Sequence, residues 1–94
     1  MAVYRLLGYS YINLNKLDEA IKYFELALNY YNQIDSKNES LFIAINHGLG
    51  EAYFKKGNNG KAKSFFQNAI SVEKKLFGRI GDATKKYWVL LHNK

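Results

Sequence analysis

The chain has 94 residues, of which 48% are hydrophobic and 23% charged, and this balance excludes a disordered or collagen-like polypeptide. It contains no cysteine, which excludes disulfides, thiolate catalysis and most zinc sites, and no proline, which favours helices joined by short turns. The net charge is +6, divided into −1 over residues 1–47 and +7 over residues 48–94. This basic second half is compatible with acidic peptides or nucleic acid, although charge alone is weak support for nucleic acid.

Nothing in the sequence suggests a membrane segment or a secretion signal. No apolar run approaches the ~20 residues that a membrane-spanning helix needs. The segment Met1–Arg5 lacks the charged-then-apolar order of a signal peptide. We therefore expect a soluble, cytoplasmic protein without membrane contact.

The first two predicted helices cover about residues 2–14 and 17–34. In each helix, apolar and small residues three and four positions apart share one face. These residues are Tyr4, Leu7, Gly8 and Tyr11 in the first helix and Ala20, Phe24 and Ala27 in the second. Between them, Asn15 tolerates a left-handed conformation and is a candidate cap for the second helix. Because the turn is short, we expect the two helices to run antiparallel.

Three further helices are predicted over about residues 38–56, 60–76 and 82–93. Ser36 and Glu39 have the spacing of a capping box, which predicts a helix start near residue 37. The next turn contains Gly57 and Gly60, with Asn59 as a candidate cap. The segment 77–82 holds two glycines and an aspartate, which indicates another stop and restart.

The two helix pairs repeat with a period of 42 residues. Leu7-Gly8 falls on Leu49-Gly50, and the further identities are Tyr11 with Tyr53, Ala20 with Ala62, Phe24 with Phe66 and Ala27 with Ala69. One more step brings Leu49 to Leu91, so a third unit begins near the end of the chain. We interpret the glycines as points of close helix approach, where Phe24 and Phe66 fill the space beside Tyr11 and Tyr53.

These repeated positions resemble the tetratricopeptide repeat. The resemblance implies an all-α, right-handed solenoid of antiparallel helix pairs with about five helices, forming one domain over residues 1–94. The units are 1–36, 37–78 and a partial third unit or capping helix, 79–94. Two features differ from the usual pattern: Asn32 and Lys74 replace a proline, and the period exceeds 34 residues. Long periods of this kind resemble those of the kinesin light chain and of bacterial cytosolic receptors for signalling peptides.

The resemblance implies that the first helix of each unit lines a concave groove that binds a protein or peptide. In this groove Tyr9, Ile12 and Phe54 supply apolar contact, Asn13 bonds a peptide backbone, and the basic residues pair with carboxylates. The predicted peptide-binding residues are Arg5, Tyr9, Ile12, Asn13, His47, Glu51, Phe54, Lys55, Lys86 and Val89. Two of them, Tyr9 and Phe54, either line the groove or pack against the neighbouring helix.

A more specific ligand is disfavoured, because the family's set for a terminal carboxylate is incomplete: Tyr9, Gly48 and Leu90 replace asparagines or a basic residue. The sequence contains no recognisable set of catalytic residues, so we expect neither enzyme activity nor a cofactor. His47 and His92 lack partners at ligand spacing, so we expect no metal.

Three alternatives to a scaffold module within a longer cytosolic protein stay open. One is the peptide-sensing part of a bacterial regulator. Another is self-association, with a homodimer formed through the terminal helix, whose apolar residues lack a covering partner. The basic second half leaves nucleic-acid binding as the weakest alternative.

Overall fold

The computed structural model describes residues 2–34 and 38–92, and within these ranges the chain is helical without strands. The five helices are α1 (Ala2–Asn13), α2 (Leu17–Gln33), α3 (Glu39–Lys56), α4 (Asn59–Phe77) and α5 (Asp82–His92). The predicted all-α fold and the number of helices are therefore confirmed. The predicted last residue of the fifth helix, Asn93, lies outside the described residues.

The turns are closed by left-handed residues at the expected places, but the caps differ from the prediction. Asn15 has φ 60°, and Gly57 ends α3 with φ 93°. The side chain of Asn38 caps α3 by accepting from the Leu41 amide at 3.2 Å. The predicted capping residue, Ser36, lies outside the described residues. Because Asn38 occupies the cap position, the first helical residue of α3 is Glu39.

The other two predicted caps are displaced by one residue. Asn58, and not Asn59, caps α4 by accepting from the Lys61 amide at 3.2 Å, while Asn59 is the first helical residue. At α2 the cap position is Lys16, which makes no side-chain capping bond, so Asn15 serves the turn and not the cap. Asn58 and Asn59 are adjacent and either one fits the cap position, whereas asparagine fits a left-handed turn position as well as a cap, which is the role of Asn15.

The helices stack in chain order as pairs. Helix α1 packs on α2, α3 packs on α4, and α2 also contacts α3, so the second helix of the first pair lies against the first helix of the next. Helix α5 packs on α4. The assembly measures 38 × 33 × 18 Å. This arrangement is a short helical solenoid, and it aligns the first helices α1, α3 and α5 along one side.

Two fully buried phenylalanines hold the pairs together. Phe24 and Phe66 have 0% exposure and lie against the glycines that the repeat pointed out. A Cβ atom built on Gly8 would stand 2.7 Å from the Phe24 ring, and one built on Gly50 would stand 2.8 Å from the Phe66 ring. Both glycines are therefore points of close helix approach, as predicted.

The neighbours of these rings were predicted wrongly. Tyr11 stacks on Tyr23 with ring centroids 5.5 Å apart, and Tyr53 stacks on Phe65 at 5.6 Å. The ring that meets Phe24 is Tyr9, edge-on at 4.9 Å. The stacking partners of Tyr11 and Tyr53 are therefore Tyr23 and Phe65, one residue before the expected Phe24 and Phe66. Phe24 and Phe66 point toward the next unit, whereas Tyr23 and Phe65 face the first helix of their own unit.

Candidate functional site

Four of the predicted peptide-binding residues lie on α1, four on α3 and two on α5, the first helices of the three units. We call this surface the α1–α3–α5 face. Five members are half-buried: Arg5, Tyr9, His47, Glu51 and Phe54. Four are exposed: Asn13, Lys55, Lys86 and Val89. The remaining member, Ile12, is only 5% exposed and packs in the hydrophobic core, so it offers no surface to a partner.

Tyr9 joins α1 to α3. Its hydroxyl donates to the carbonyl oxygen of Ala44 at 3.0 Å, and its ring packs edge-on against Phe24. Burial raises the pKa of Tyr9 to about 12, and the negative charge of Glu51 adds to the increase while Arg5 opposes it. Tyr9 of α1 therefore packs against the neighbouring helix α3 and leaves part of its side chain accessible on the face.

The aromatic centre of the face is Tyr87 of α5, which the sequence did not assign to the site. Its ring stacks on Phe66 with centroids 5.4 Å apart and meets Phe54 edge-on at 5.3 Å. The His47 ring meets the Tyr87 ring in an edge-to-face arrangement, with centroids 5.9 Å apart. The repeat could have predicted the role of Tyr87. It lies 42 residues after Ile45, which is fully buried, so a buried position was expected for Tyr87 in the third unit.

Glu51 is the acidic group of the face. Burial raises the pKa of Tyr87, and the charge of Glu51 and a hydrogen bond to it raise this pKa further. The charge of the same carboxylate also raises the pKa of Tyr9, so Glu51 lies near the phenols of both α1 and α5. A carboxylate that accepts from one phenol and lies near another is well placed to receive an amide or a cationic group from a partner.

Two nitrogen atoms of the face are buried without a hydrogen-bond partner among the described residues. They are Nε of Arg5 and Nε2 of His47. Buried polar atoms without partners are uncommon in folded proteins, because each costs free energy that a bound acceptor or water recovers. Both side chains are half-exposed, so a side-chain movement brings these atoms to a bound peptide, whose backbone offers donors and acceptors. Nε of Arg5 donates, and Nε2 of His47 donates or accepts according to its tautomer.

The lysines of the face are more exposed than its aromatic residues. Lys55 and Lys86 are exposed, and the ammonium of Lys86 lies 5.7 Å from the centre of the Tyr87 ring. The lysines elsewhere in the basic half divide into two groups. Lys75 pairs with Glu39 at 2.6 Å, whereas Lys61 is solvent-exposed and lies 5.2 Å from the Tyr53 ring.

A separate cleft lies between α2 and α4, on the second helices, and was not predicted. It has a volume of about 430 Å³ and is lined by Leu26, Leu28 and Phe65 with polar neighbours.

Over residues 2–34 and 38–92, no group of three histidine or acidic side chains is arranged to hold a metal ion. No helix in these ranges combines the length and the apolar character needed to cross a bilayer.

The fold defines a helical repeat protein in which antiparallel pairs stack through buried phenylalanines. Two models of the tetratricopeptide repeat match the chain, one over residues 1–34 and the other over residues 43–76. The chain therefore belongs to the tetratricopeptide repeat family, and the two matches begin 42 residues apart, in agreement with the repeat. Searches among curated proteins and among solved structures returned no match. Tetratricopeptide repeats are non-enzymatic scaffolds that generally mediate protein–protein interaction.

Proposed function

We propose that this chain binds a peptide segment of another protein across the α1–α3–α5 face. The observation that carries the proposal is the pair of buried nitrogens of Arg5 and His47, which lack partners among the described residues. They share the face with the half-buried ring of Phe54. Aromatic surface next to unsatisfied polar groups is typical of sites that desolvate a partner and orient it at the same time.

The chemistry of the face suggests how such a segment is held. Phe54 and Val89 offer apolar surface, and Val89 is 43% exposed. The exposed amide of Asn13 has both a donor and an acceptor for a peptide backbone. Lys55 and Lys86 are exposed cations that fit acidic side chains of the partner. Ile12 has no part in this surface, because it is buried in the core.

The test is selection of peptides from a displayed library on the full chain, followed by affinity measurements with four variants. Arg5→Ala and Asn13→Ala are expected to weaken the selected peptides, because each removes a polar contact of the face. Lys61→Ala and Lys63→Ala serve as controls on α4, since both residues are exposed and lie outside the face. Loss of binding in the α4 variants with full binding in the others would contradict the proposal.

Salt distinguishes the proposed peptide site from nucleic-acid binding. Binding that neutralises phosphates weakens steeply with salt, since counterions are released. A peptide that is held by Phe54 and by hydrogen bonds is expected to weaken only modestly between 50 and 200 mM salt, a range over which about six phosphate contacts cost ~10³ in affinity. A steep decline would favour nucleic acid as the partner.

We also propose a cytosolic setting, which the absence of cysteine supports.

Self-association through α5 is a second candidate, and its support is the exposed apolar surface of that helix. Val89 is 43% and Leu90 45% exposed. Light scattering coupled to size exclusion over a wide concentration range tests it. A dimer that Leu90→Lys converts to monomer would support self-association, and a monomer at all concentrations would exclude it.

A further inference from the structure

The start of α4 contains the one Asn-Gly pair of the sequence, Asn59-Gly60. Asn59 is the first helical residue and is half-buried, and Gly60 follows it on the exposed surface. Among the described residues, neither the side-chain amide of Asn59 nor the backbone amide of Gly60 has a hydrogen-bond partner. Two groups that can react with each other are therefore adjacent and unbonded.

The helix leaves the Gly60 amide unbonded for a geometric reason. The first N–H groups of an α-helix have no carbonyl oxygen four residues earlier within the helix. Asn58 serves the two amides that follow: its side chain accepts from Lys61 at 3.2 Å and its carbonyl oxygen from Ala62 at 3.0 Å. A Cβ atom built on Gly60 would meet only the Asn58 side-chain oxygen, at 3.9 Å, so the space beside this residue is open.

We propose that Asn59 is a site of spontaneous modification, at which the chain converts its own asparagine to aspartate and isoaspartate without an enzyme. The backbone nitrogen of Gly60 attacks Cγ of Asn59 and closes a succinimide ring, and the side-chain nitrogen leaves as ammonia with the proton of the Gly60 amide. Water then opens the ring, giving its oxygen to the new carboxyl group and a proton back to the Gly60 nitrogen. Cleavage between this nitrogen and Cγ yields aspartate, and cleavage at the main-chain carbonyl carbon yields isoaspartate.

The fold controls the rate of ring closure. The Gly60 nitrogen reaches Cγ only when the backbone of Asn59 rotates out of its helical conformation. This rotation breaks the two hydrogen bonds that Asn58 accepts from the first turn of α4. Because helix ends fray at a small cost in free energy, the folded chain is expected to react, although more slowly than the unfolded chain.

The aspartate product supplies a charge that α4 lacks. The first turns of α2, α3 and α5 each contain an acidic residue, whereas that of α4 contains none. A carboxylate at residue 59 lies at the positive end of the helix dipole, two residues before the exposed Lys61. It lowers the net charge of the chain by one, from +6 to +5. Isoaspartate instead adds a carbon atom to the main chain and disrupts the helix start.

The test follows the full chain by mass spectrometry during incubation at mildly alkaline pH, with the chain unfolded in urea as the positive control. Trypsin releases residues 57–61, and fragmentation of this peptide assigns the exchange of an amide for a carboxyl group to Asn58 or to Asn59. We expect exchange at Asn59 and none at Asn58, whose oxygen is bonded and whose next residue carries a side chain. This modification is independent of peptide binding on the α1–α3–α5 face.

Two variants test the mechanism. Gly60→Ala is expected to lose the product over the same incubation, because a methyl group crowds the attacking nitrogen. Asn58→Ala is expected to accelerate the reaction about fivefold, since removal of the cap lets the first turn of α4 fray more often. Asn38→Ala is the matched control: it removes the cap of α3 instead and should leave the rate unchanged.

A third variant tests the effect of the product. Asn59→Asp is expected to raise the midpoint of urea unfolding, because it places a negative charge at the start of α4. Asn29→Asp makes the same change in charge at an exposed position far from the start of α2 and is expected to bring no such increase.

Three results would overturn the proposed site: no exchange at Asn59 in the folded chain after the unfolded chain has reacted, an undiminished rate in Gly60→Ala, or equal rates in Asn58→Ala and the wild-type chain. A midpoint of Asn59→Asp at or below that of the wild-type chain would refute the benefit of the aspartate to α4.

Discussion

Replacing Gly48 by alanine tests the packing between the two units more sharply than any other single substitution. The added Cβ would stand under 3.0 Å from three atoms of the Phe24 ring, which is 0% exposed. The ring has no free side to move toward, because its opposite edge lies against Gly8, where a Cβ would stand 2.7 Å away. One methyl group must therefore displace either a buried ring or two helices.

The expected cost follows from two opposing effects. Overpacking of a full core costs about 1–3 kcal/mol, and the clamping of the Phe24 ring from both sides favours the upper part of this range. Alanine in a helix interior recovers about 0.5–1 kcal/mol relative to glycine. We therefore expect Gly48→Ala to lower the free energy of unfolding by about 1–2 kcal/mol, since the first effect exceeds the second.

Urea unfolding followed by far-UV circular dichroism measures this difference, with Gly60→Ala as the matched control. Gly60 is also helical, but a Cβ there would meet only the Asn58 side-chain oxygen, at 3.9 Å. This control is expected to stabilise the protein by about 0.5–1 kcal/mol. The two glycine-to-alanine changes should therefore shift the unfolding midpoint in opposite directions.

A second substitution assigns the cost to the ring. In the Gly48→Ala background, Phe24→Leu is expected to cost less than it does in the wild-type chain, because the smaller side chain relieves the overlap. If Gly48→Ala is as stable as Gly60→Ala, or if the two changes add without coupling, the close approach of α2 and α3 at Phe24 is refuted.

Three further predictions concern single polar groups. Asn58→Ala is expected to lower stability by about 1 kcal/mol in urea unfolding, because it removes the cap of α4; an unchanged midpoint would contradict the cap. Thr84→Val removes the hydroxyl that donates to the buried carboxyl of Glu73 at 3.3 Å and is expected to cost about 1–3 kcal/mol; Ser71→Ala, at an exposed site on α4, is the control. Tyr9 has a pKa raised to about 12, so its contribution to stability is complete below about pH 10 and is lost as the pH rises through 12. The stability of the wild-type chain should therefore fall more steeply than that of Tyr9→Phe between pH 10 and 12, and parallel pH profiles would refute this.

The sequence carried enough information to predict the contacts between glycine and phenylalanine within each unit, although not the stacking partners of Tyr11 and Tyr53. Gly8 and Phe24 recur as Gly50 and Phe66, and the recurrence predicted the close helix approach within each pair. Contacts between units left a weaker signal. Gly48 also touches Phe24, yet it has leucines at the matching positions of α1 and α5, so the repeat comparison passed over it.

The candidate face was only partly predictable for a related reason. Helical periodicity shows which side of α1 points away from α2, but it does not show how far the next unit covers that side. Ile12, for example, was predicted to lie on the surface but is 5% exposed and belongs to the core. Tyr87 was missed because the position that it occupies depends on the packing of α5 against both α3 and α4.

The most direct test of peptide binding on the α1–α3–α5 face compares two phenylalanines of the same chain. A peptide selected on the wild-type protein is titrated calorimetrically into Phe54→Ala and into Phe77→Ala, because Phe77 is 59% exposed at the end of α4 and lies outside the face. Removing an aromatic anchor is expected to cost at least about 1–2 kcal/mol of binding free energy in Phe54→Ala, with no change in Phe77→Ala. Equal affinity in both variants, or a loss confined to Phe77→Ala, would contradict the assignment of the binding face.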